Sequence, residues 1–273
     1  MSNERRLDSA VVECGFVTGR DKAKELIRSG AITVNGKTVD KPSFCVATTD
    51  TVACTVETSP FVSRGGVKLQ HALPYLAQLP SSFVAMDVGA STGGFTQCLL
   101  QHGAAKVYAV DVGHGQLHSS LSADERVVNL EGTDIRNTAV LQTVIPAKSV
   151  EVVAVDVSFI SLHTVLPALL WYLKPKAQLI LLVKPQFEAG KAAVGKNGVV
   201  HDRREHYRVL RELCDTFEKQ NLALQHLMAS PIVGGAGRRD GNIEYLAVLQ
   251  YGGVDGKLPD IRRLVDTAFL KLK

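Results

Sequence analysis

An α/β fold with a mainly parallel sheet is what this sequence predicts, and three features carry that expectation. Apolar runs at 83–88, 106–110, 127–130, 152–155 and 177–183 alternate with segments of helical period. The first run passes into a glycine-rich turn and then a helical segment, which is a strand–turn–helix unit. Two closing strands, 222–228 and 243–250, follow a long helix and bring the sheet to seven strands.

The elements follow in order. Residues 1–58 are expected to form a small α+β domain. The segment 7–14 has helical period, and Thr18-Gly19-Arg20 is a turn and cap for a second helix at 21–29. That helix sets Ala23, Leu26 and Ile27 on one face, and Gly30 ends it. Asn35-Gly36, flanked by Ala31-Ile32-Thr33-Val34 and Lys37-Thr38-Val39, is a hairpin signal because both turn residues tolerate positive φ. A further strand is expected at 52–56. Thr58-Ser59-Pro60 breaks the chain, and 59–273 is expected as the second domain. There 63–76 reads as a turn and a helix, with Gly65-Gly66 at its start and Pro74 inside it. Helices are also expected at 95–101, 135–144, 203–220 and 259–272, and the apolar tract 159–173 reads as a buried helix. Ligands in such sheets gather at the carboxyl ends of the strands, near the switch in strand order.

The chain of 273 residues is 45% hydrophobic, which is ordinary for a globular core. Its net charge of +4 permits a polyanionic partner without requiring one. Five cysteines (Cys14, Cys45, Cys54, Cys98 and Cys214) are odd in number and never in C-x-x-C spacing. They argue against a disulfide framework or a zinc site, fit a reducing cytoplasm, and are mostly expected to be buried as small hydrophobes. No metal is expected. The polar segment 1–6 lacks the apolar stretch of a signal peptide. The tract 159–173 is shorter than a span of ~20 residues and holds Ser161, His163, Thr164 and Pro167, so no membrane contact is expected.

The glycine turn is Asp87-Val88-Gly89-Ala90-Ser91-Thr92-Gly93-Gly94-Phe95. No Lys-Ser or Lys-Thr follows its last glycine, which excludes a P-loop. Ser91 stands where a dinucleotide fingerprint has its second glycine. A second acid, Asp111, closes the next strand. Two carboxylates at adjacent strand ends suit ammonium and hydroxyl groups better than phosphates, and S-adenosylmethionine offers both.

In the first domain Arg6-Leu7-Asp8, Thr18-Gly19-Arg20-Asp21-Lys22-Ala23 and Ile27-Arg28-Ser29-Gly30-Ala31-Ile32-Thr33-Val34-Asn35-Gly36 resemble the alpha-L RNA-binding motif. The resemblance implies that Arg6, Arg20, Lys22, Lys24 and Arg28 lie against RNA phosphates. The same charges also suit the solvated face of an amphipathic helix, and residues 1–58 balance eight Lys or Arg against eight Asp or Glu.

Four further segments place polar groups where strands begin or end. They are Ser63-Arg64-Gly65-Gly66-Val67-Lys68-Leu69, Asp156-Val157-Ser158-Phe159-Ile160-Ser161, Lys184-Pro185-Gln186-Phe187-Glu188 and Gly241-Asn242-Ile243-Glu244-Tyr245. Together with the glycine turn they resemble the TlyA (hemolysin A) family across essentially the whole chain. That resemblance implies a Rossmann-like class I methyltransferase domain of the FtsJ type behind an RNA-binding domain. It implies S-adenosylmethionine as cofactor, ribosomal RNA or ribosomal subunits as partner, and 2′-O-methylation of cytidine in the cytoplasm. The catalytic set it implies is Lys68, Asp156, Lys184 and Glu244, with Arg64 toward RNA. A ribose hydroxyl must lose its proton as it attacks, and a lysine assists only when partly neutral, a state that burial and a neighbouring cation favour. Lys184 is expected in that role, with Asp156 orienting it and Glu244 holding Lys68 or the ribose.

For the cofactor, Gly89, Ala90, Ser91, Gly93, Gly94 and Phe95 are expected around the methionine part, with Asp87 binding or supporting it. Asp111 is expected on the ribose hydroxyls. Asp134 suits an adenine contact and equally a cap for the helix at 135–144. The loop 189–198 reads as a lid carrying Lys191 and Lys196, or as a plain exposed loop. The loop 234–241, with Arg238-Arg239, is longer than the family's pattern. The family's historical name offers a membrane-active hemolysin as the other reading. A non-catalytic RNA-binding protein on a methyltransferase scaffold is a third.

Overall fold

The computed structural model describes residues 4–14, 16–17, 19–55, 60–77, 79–234, 241–254, 256 and 260–270. The chain divides into two compact units, Met1–Val62 and Ser63–Lys273.

The first unit comprises β1 (Arg5–Arg6), α1 (Leu7–Glu13), α2 (Arg20–Arg28), β2 (Ile32–Val34), β3 (Lys37–Thr38), β4 (Cys45–Val46) and β5 (Val52–Cys54). Asn35 at φ 50° and Gly36 at φ 77° make the tight turn between β2 and β3, and β5 pairs on the other side of β2. Leu7, Ala10, Val11, Ala23, Ile27 and Ile32 are inaccessible and form the core that joins the two helices to the strands. The strand expected at 52–56 ends at Cys54, and Val56 and Thr18 lie outside the described residues.

The second unit is built on β6 (Phe83–Val88), β7 (Ala104–Asp111), β8 (Val127–Glu131), β9 (Val150–Val155), β10 (Leu173–Val183), β11 (Leu222–Ala229) and β12 (Tyr245–Tyr251). Its helices are α3 (Gly65–Ala72), α4 (Gly94–Gln101), α5 (Ser119–Ser122), α6 (Thr138–Leu141), α7 (Leu162–Leu169), α8 (Pro185–Glu188), α9 (Arg203–Lys219) and α10 (Ile261–Leu270). The strand order is β11-β12-β10-β9-β6-β7-β8. Strands β6 to β10 run parallel, and β12 is antiparallel to both of its neighbours. From β6 the chain winds outward through β7 and β8, then returns to β9 on the other side. The switch point, where ligands of such sheets sit, therefore lies between the carboxyl ends of β6 and β9.

Register fixes what stands on that edge. Val88 pairs with both Val110 and Val155, and Val183 pairs with Tyr245. The residues just beyond these pairs are Gly89, Asp111, Asp156 and Lys184, and Glu244 enters β12 from the same edge. Val209, Leu210, Leu213 and Phe217 of α9 and Val165, Leu166 and Leu169 of α7 are buried in the sheet's core.

Several local expectations are corrected. The tract 159–173 is not one buried helix. Ser161 caps α7 by accepting from His163 N, Phe159 before it is 91% exposed, and Leu173 already belongs to β10. The helix expected at 135–144 shrinks to α6, because the Asp134 side chain takes Arg136 N and its carbonyl takes Asn137 N, which makes a local turn. The helix expected at 63–76 ends at Ala72, and Pro74 sits in a short 3-10 turn. Among the cysteines only Cys98 is buried, while Cys14 and Cys45 are exposed. Among the described residues no helix is long and apolar enough to cross a membrane, and no group of three metal-binding side chains occurs.

Candidate active site

Asp87 lies at the end of β6, fully buried. Its Oδ2 accepts from Thr96 N at 2.8 Å and Thr96 Oγ1 at 2.7 Å, which ties β6 to the first turn of α4. Its Oδ1 is buried without a partner. Burial pushes the Asp87 carboxyl up to about 7; the Thr96 bonds oppose this, and the charges of Asp156 and Asp111 add to it. A cationic group brought near would favour its ionised form.

Beyond Val88 the chain turns at Gly89, φ 84°, where a Cβ would stand 2.3 Å from the Asp156 carbonyl oxygen. Only glycine lets the ends of β6 and β9 approach this closely. Gly93 faces Leu117 and Leu121, Gly94 packs on Ser63 and Gly66, and Ala90 and Phe95 are buried. A cavity of about 490 Å³ opens over the switch point. Gly89, Ser91, Asp111, Asp134, Asp156 and Phe159 line it, whereas Asp87, Ala90, Gly93, Gly94 and Phe95 lie outside the lining. Asp111 Oδ2 accepts from Ser91 N and its Oδ1 from Gly113 N, both at 2.7 Å, so its carboxylate is fixed at the wall with lone pairs to spare. Asp134 holds Arg136 in a two-pronged pair and does not cap α6. The volume and the acids on the wall suit a small ligand with ammonium and hydroxyl groups.

The four expected catalytic residues form two ion pairs at one edge of the sheet. Lys68 Nζ donates to Glu244 Oε2 at 2.5 Å, with side chains only 9% and 3% exposed. Gly234 makes room for that carboxylate, since a Cβ there would meet Glu244 Oε1 at 2.1 Å. Glu244 therefore reaches Lys68, whereas residues 235–240, including Arg238-Arg239, lie outside the described residues. Lys184 Nζ stands 2.5 Å from Asp156 Oδ1, off the line of a hydrogen bond, and donates to Ser158 Oγ at 3.0 Å. Beside this pair the Phe159 and Phe187 rings meet at a tilt of 49° with centroids 5.0 Å apart, and Lys184 Nζ is 5.9 Å from the Phe187 centroid.

Sequence reasoning passed over Ser158, Phe159 and Glu188, although all three stand inside the segments it singled out. Lys191 and Lys196 are exposed on the 189–198 loop. That loop is anchored: Asn242 Nδ2 donates to Gly198 O at 2.9 Å, and His206 Nε2 donates to Val200 O at 2.9 Å.

Residues 61–251 match the model of the FtsJ-like methyltransferases, and residues 5–52 match the S4 domain. The chain belongs to the FtsJ-like methyltransferase family. It is 41% identical to YqxC of Bacillus subtilis over all of this chain and 96% of that protein. It is also 41% identical to the 16S/23S rRNA (cytidine-2′-O)-methyltransferase TlyA of Mycobacterium tuberculosis, over 92% of this chain and 91% of that one. A solved structure of a Streptococcus thermophilus protein that bears the name hemolysin superposes with a TM-score of 0.73 at 35% identity, covering 99% of this chain and 98% of that one.

Within the S4 domain the expected RNA-facing charges are already partly engaged. The buried Asp8 accepts from Arg6 Nε and Nη2 at 3.1 Å and from Arg20 Nη2 at 2.9 Å. The Arg6 bonds, more than Arg20, hold its carboxyl down to about 2. Both arginine side chains remain about half exposed. Lys24 pairs with Asp21 at 2.9 Å, and Lys22 Nζ donates to the Val62 carbonyl of the same unit. Arg28 is exposed and makes no ion pair among the described residues. In the methyltransferase domain Arg64 is exposed just before α3.

Proposed function

We propose that this protein transfers a methyl group from S-adenosylmethionine to the 2′-hydroxyl of a cytidine ribose in ribosomal RNA, in the cytoplasm, with a ribosomal subunit as the working substrate. The reading is supported most by one observation. Two ion pairs, Lys184–Asp156 and the buried Lys68–Glu244, stand where strands of the sheet begin or end, and Asp156 and Ser158 of the first also line the cavity over the switch point. The 16S/23S rRNA (cytidine-2′-O)-methyltransferase TlyA of Mycobacterium tuberculosis, 41% identical, agrees with it by its activity.

The bound cofactor supplies an electrophilic methyl carbon on a positively charged sulfur. Asp111 holds the hydroxyls of its ribose. Asp87, buried behind the cavity wall and bonded to Thr96, keeps the glycine turn in place and supports the methionine part of the cofactor through its charge. Lys184 Nζ takes the proton that leaves the 2′-oxygen. Asp156 and Ser158 fix that nitrogen, and Asp156 then balances the ammonium that results. The Lys68–Glu244 pair holds the acceptor ribose from the other side. Much of the rate comes from holding oxygen, carbon and sulfur in line.

Phe159 presents an open ring at the cavity rim, a face on which an unstacked base can rest. The S4 domain, residues 1–58 in this reading, delivers the RNA through Arg6, Arg20, Lys22, Lys24 and Arg28, and Arg64 of the methyltransferase domain also meets RNA. Purified protein with methyl-labelled S-adenosylmethionine and subunits lacking the modification is expected to place label on ribose. Label found on a base overturns the reading.

A further inference from the structure

The Lys184–Asp156 pair is one cross-link between the segments that leave β10 and β9. A second cross-link lies a few residues further along both. Glu188, the last residue of α8, accepts from Ser161 Oγ at 2.6 Å and from Leu162 N at 2.9 Å. Ser161 Oγ in turn accepts from His163 N at 3.1 Å and so caps α7. The two cross-links close a ring, with 156–161 as one arm and 184–188 as the other. Ser158, Phe159 and Phe187 lie between the two cross-links along these arms.

The ring holds a backbone that does not hold itself. Phe159 has φ 63°, in the left-handed region that a bulky residue avoids unless its surroundings impose it. Its ring rests on Phe187 of the opposite arm. No Lys or Arg pairs with Glu188 among the described residues, and burial raises its carboxyl above the usual range against the two bonds that lower it. Withdrawing a carboxylate even partly from water is costly, and α7 already has its cap in Ser161. What Glu188 adds is a hold on the Asp156 arm from the Lys184 arm.

We propose that Glu188 is a positioning residue for the methyl transfer, tying the arm of Asp156 to the arm of Lys184 so that the ion pair and the Phe159 ring keep one geometry. This rests on the reading of the site as a ribose methyltransferase centre.

The test is steady-state transfer of labelled methyl to ribosomal subunits by the full chain and by Glu188→Ala, Glu188→Gln, Ser161→Ala and the double Ala variant. Glu188→Ala is expected to lose at least tenfold in kcat, with both KM values within twofold of the parent. Ser161→Ala is expected to lose about threefold, and the double variant no more than Glu188→Ala, since one contact is counted twice. Glu188→Gln is expected within threefold of the parent, because its amide can accept from Leu162 N and donate to Ser161 Oγ. If Glu188→Ala does not fold, the kcat of Ser161→Ala decides. An active parent with kcat unchanged in the variants, or Gln as poor as Ala, or KM moving in step with kcat, overturns the inference alone. An inactive parent overturns the reading on which it stands.

Discussion

Lys184 Nζ stands 2.5 Å from Asp156 Oδ1 at the tips of adjacent parallel strands, and Ser158 Oγ takes its hydrogen bond at 3.0 Å. The carboxylate and the hydroxyl aim one nitrogen. Asp156→Asn keeps the shape and removes the charge that balances an ammonium. It is expected to lower kcat about a hundredfold with little change in melting temperature. Ser158→Ala, which removes a single contact, is expected to lose under tenfold. Single-turnover rates with saturating RNA check both, and parental rates for Asp156→Asn would sink this role.

Cofactor binding is expected to depend on pH through Asp87. Its carboxyl in the free protein sits near 7 because it is buried, and a bound cation favours the ionised form. Cofactor binding therefore releases a proton below that pH. Affinity is expected to be about tenfold weaker at pH 6 than at pH 8. The folded value lies above the ordinary 3.8, so the stability that Asp87 contributes is fully present below pH ~4 and lost as pH rises through about 7. Asp87→Asn is expected to bind cofactor more weakly, with a flat pH profile, and to melt higher than the parent at pH 8 without cofactor. Calorimetric titration in two buffers of different ionisation heat reads the proton directly. A flat parental profile would show that Asp87 does not sense the cofactor.

The Lys68–Glu244 pair is buried, so breaking it from one side strands a charge. Glu244→Ala is expected to cost roughly 3–5 kcal/mol of stability. The double change Lys68→Met with Glu244→Leu is expected to recover most of that stability while staying inactive. Thermal melts and transfer assays on the same samples separate stability from chemistry.

Phe159 is 91% exposed, so its removal should not touch the core. Base–aromatic stacking is worth ~1–3 kcal/mol. Phe159→Ala is accordingly expected to lose about tenfold in kcat/KM for RNA at an unchanged melting temperature, and Phe159→Tyr to keep most of it. Equal kcat/KM for Ala and parent would exclude stacking.

In the S4 domain Arg28 and Arg20 are expected to meet phosphates. Each replacement by Ala is expected to weaken subunit binding and to reduce the slope of log K against log salt by about 1. Arg20→Ala also takes one of the two partners from buried Asp8, so its melting temperature is expected to fall while that of Arg28→Ala does not. Unchanged salt slopes would leave the arginines as solvated surface.

The seven strands were legible because each is an apolar run bounded by polar or glycine residues, and the sheet's register then brings their ends together. That is how Asp156 and Lys184, 28 positions apart in the chain, could be expected to converge. Lys68 and Glu244 lie 176 residues apart, and only the family resemblance joined them before the fold did. Short-range side-chain bonds were not legible. Asp134 seized Arg136 two residues on and cut a helix short, and Ser161 and Glu188 tied two loops through atoms that no periodicity marks. Phe159 was hidden for a related reason: an apolar residue beside an apolar helix reads as core until a positive φ turns it outward. The exposed cysteines make the same point, since residue type alone does not set burial.

The most direct test is the single-turnover rate of methyl transfer to the ribose of unmodified ribosomal subunits, parent against Lys184→Ala, with the labelled nucleoside identified after digestion. Labelled 2′-O-methylcytidine is expected from the parent, and a rate at least a hundredfold lower from Lys184→Ala, with cofactor binding retained. Lys184→Ala transferring as fast as the parent, or label on any atom other than a ribose 2′-oxygen, would contradict this reading.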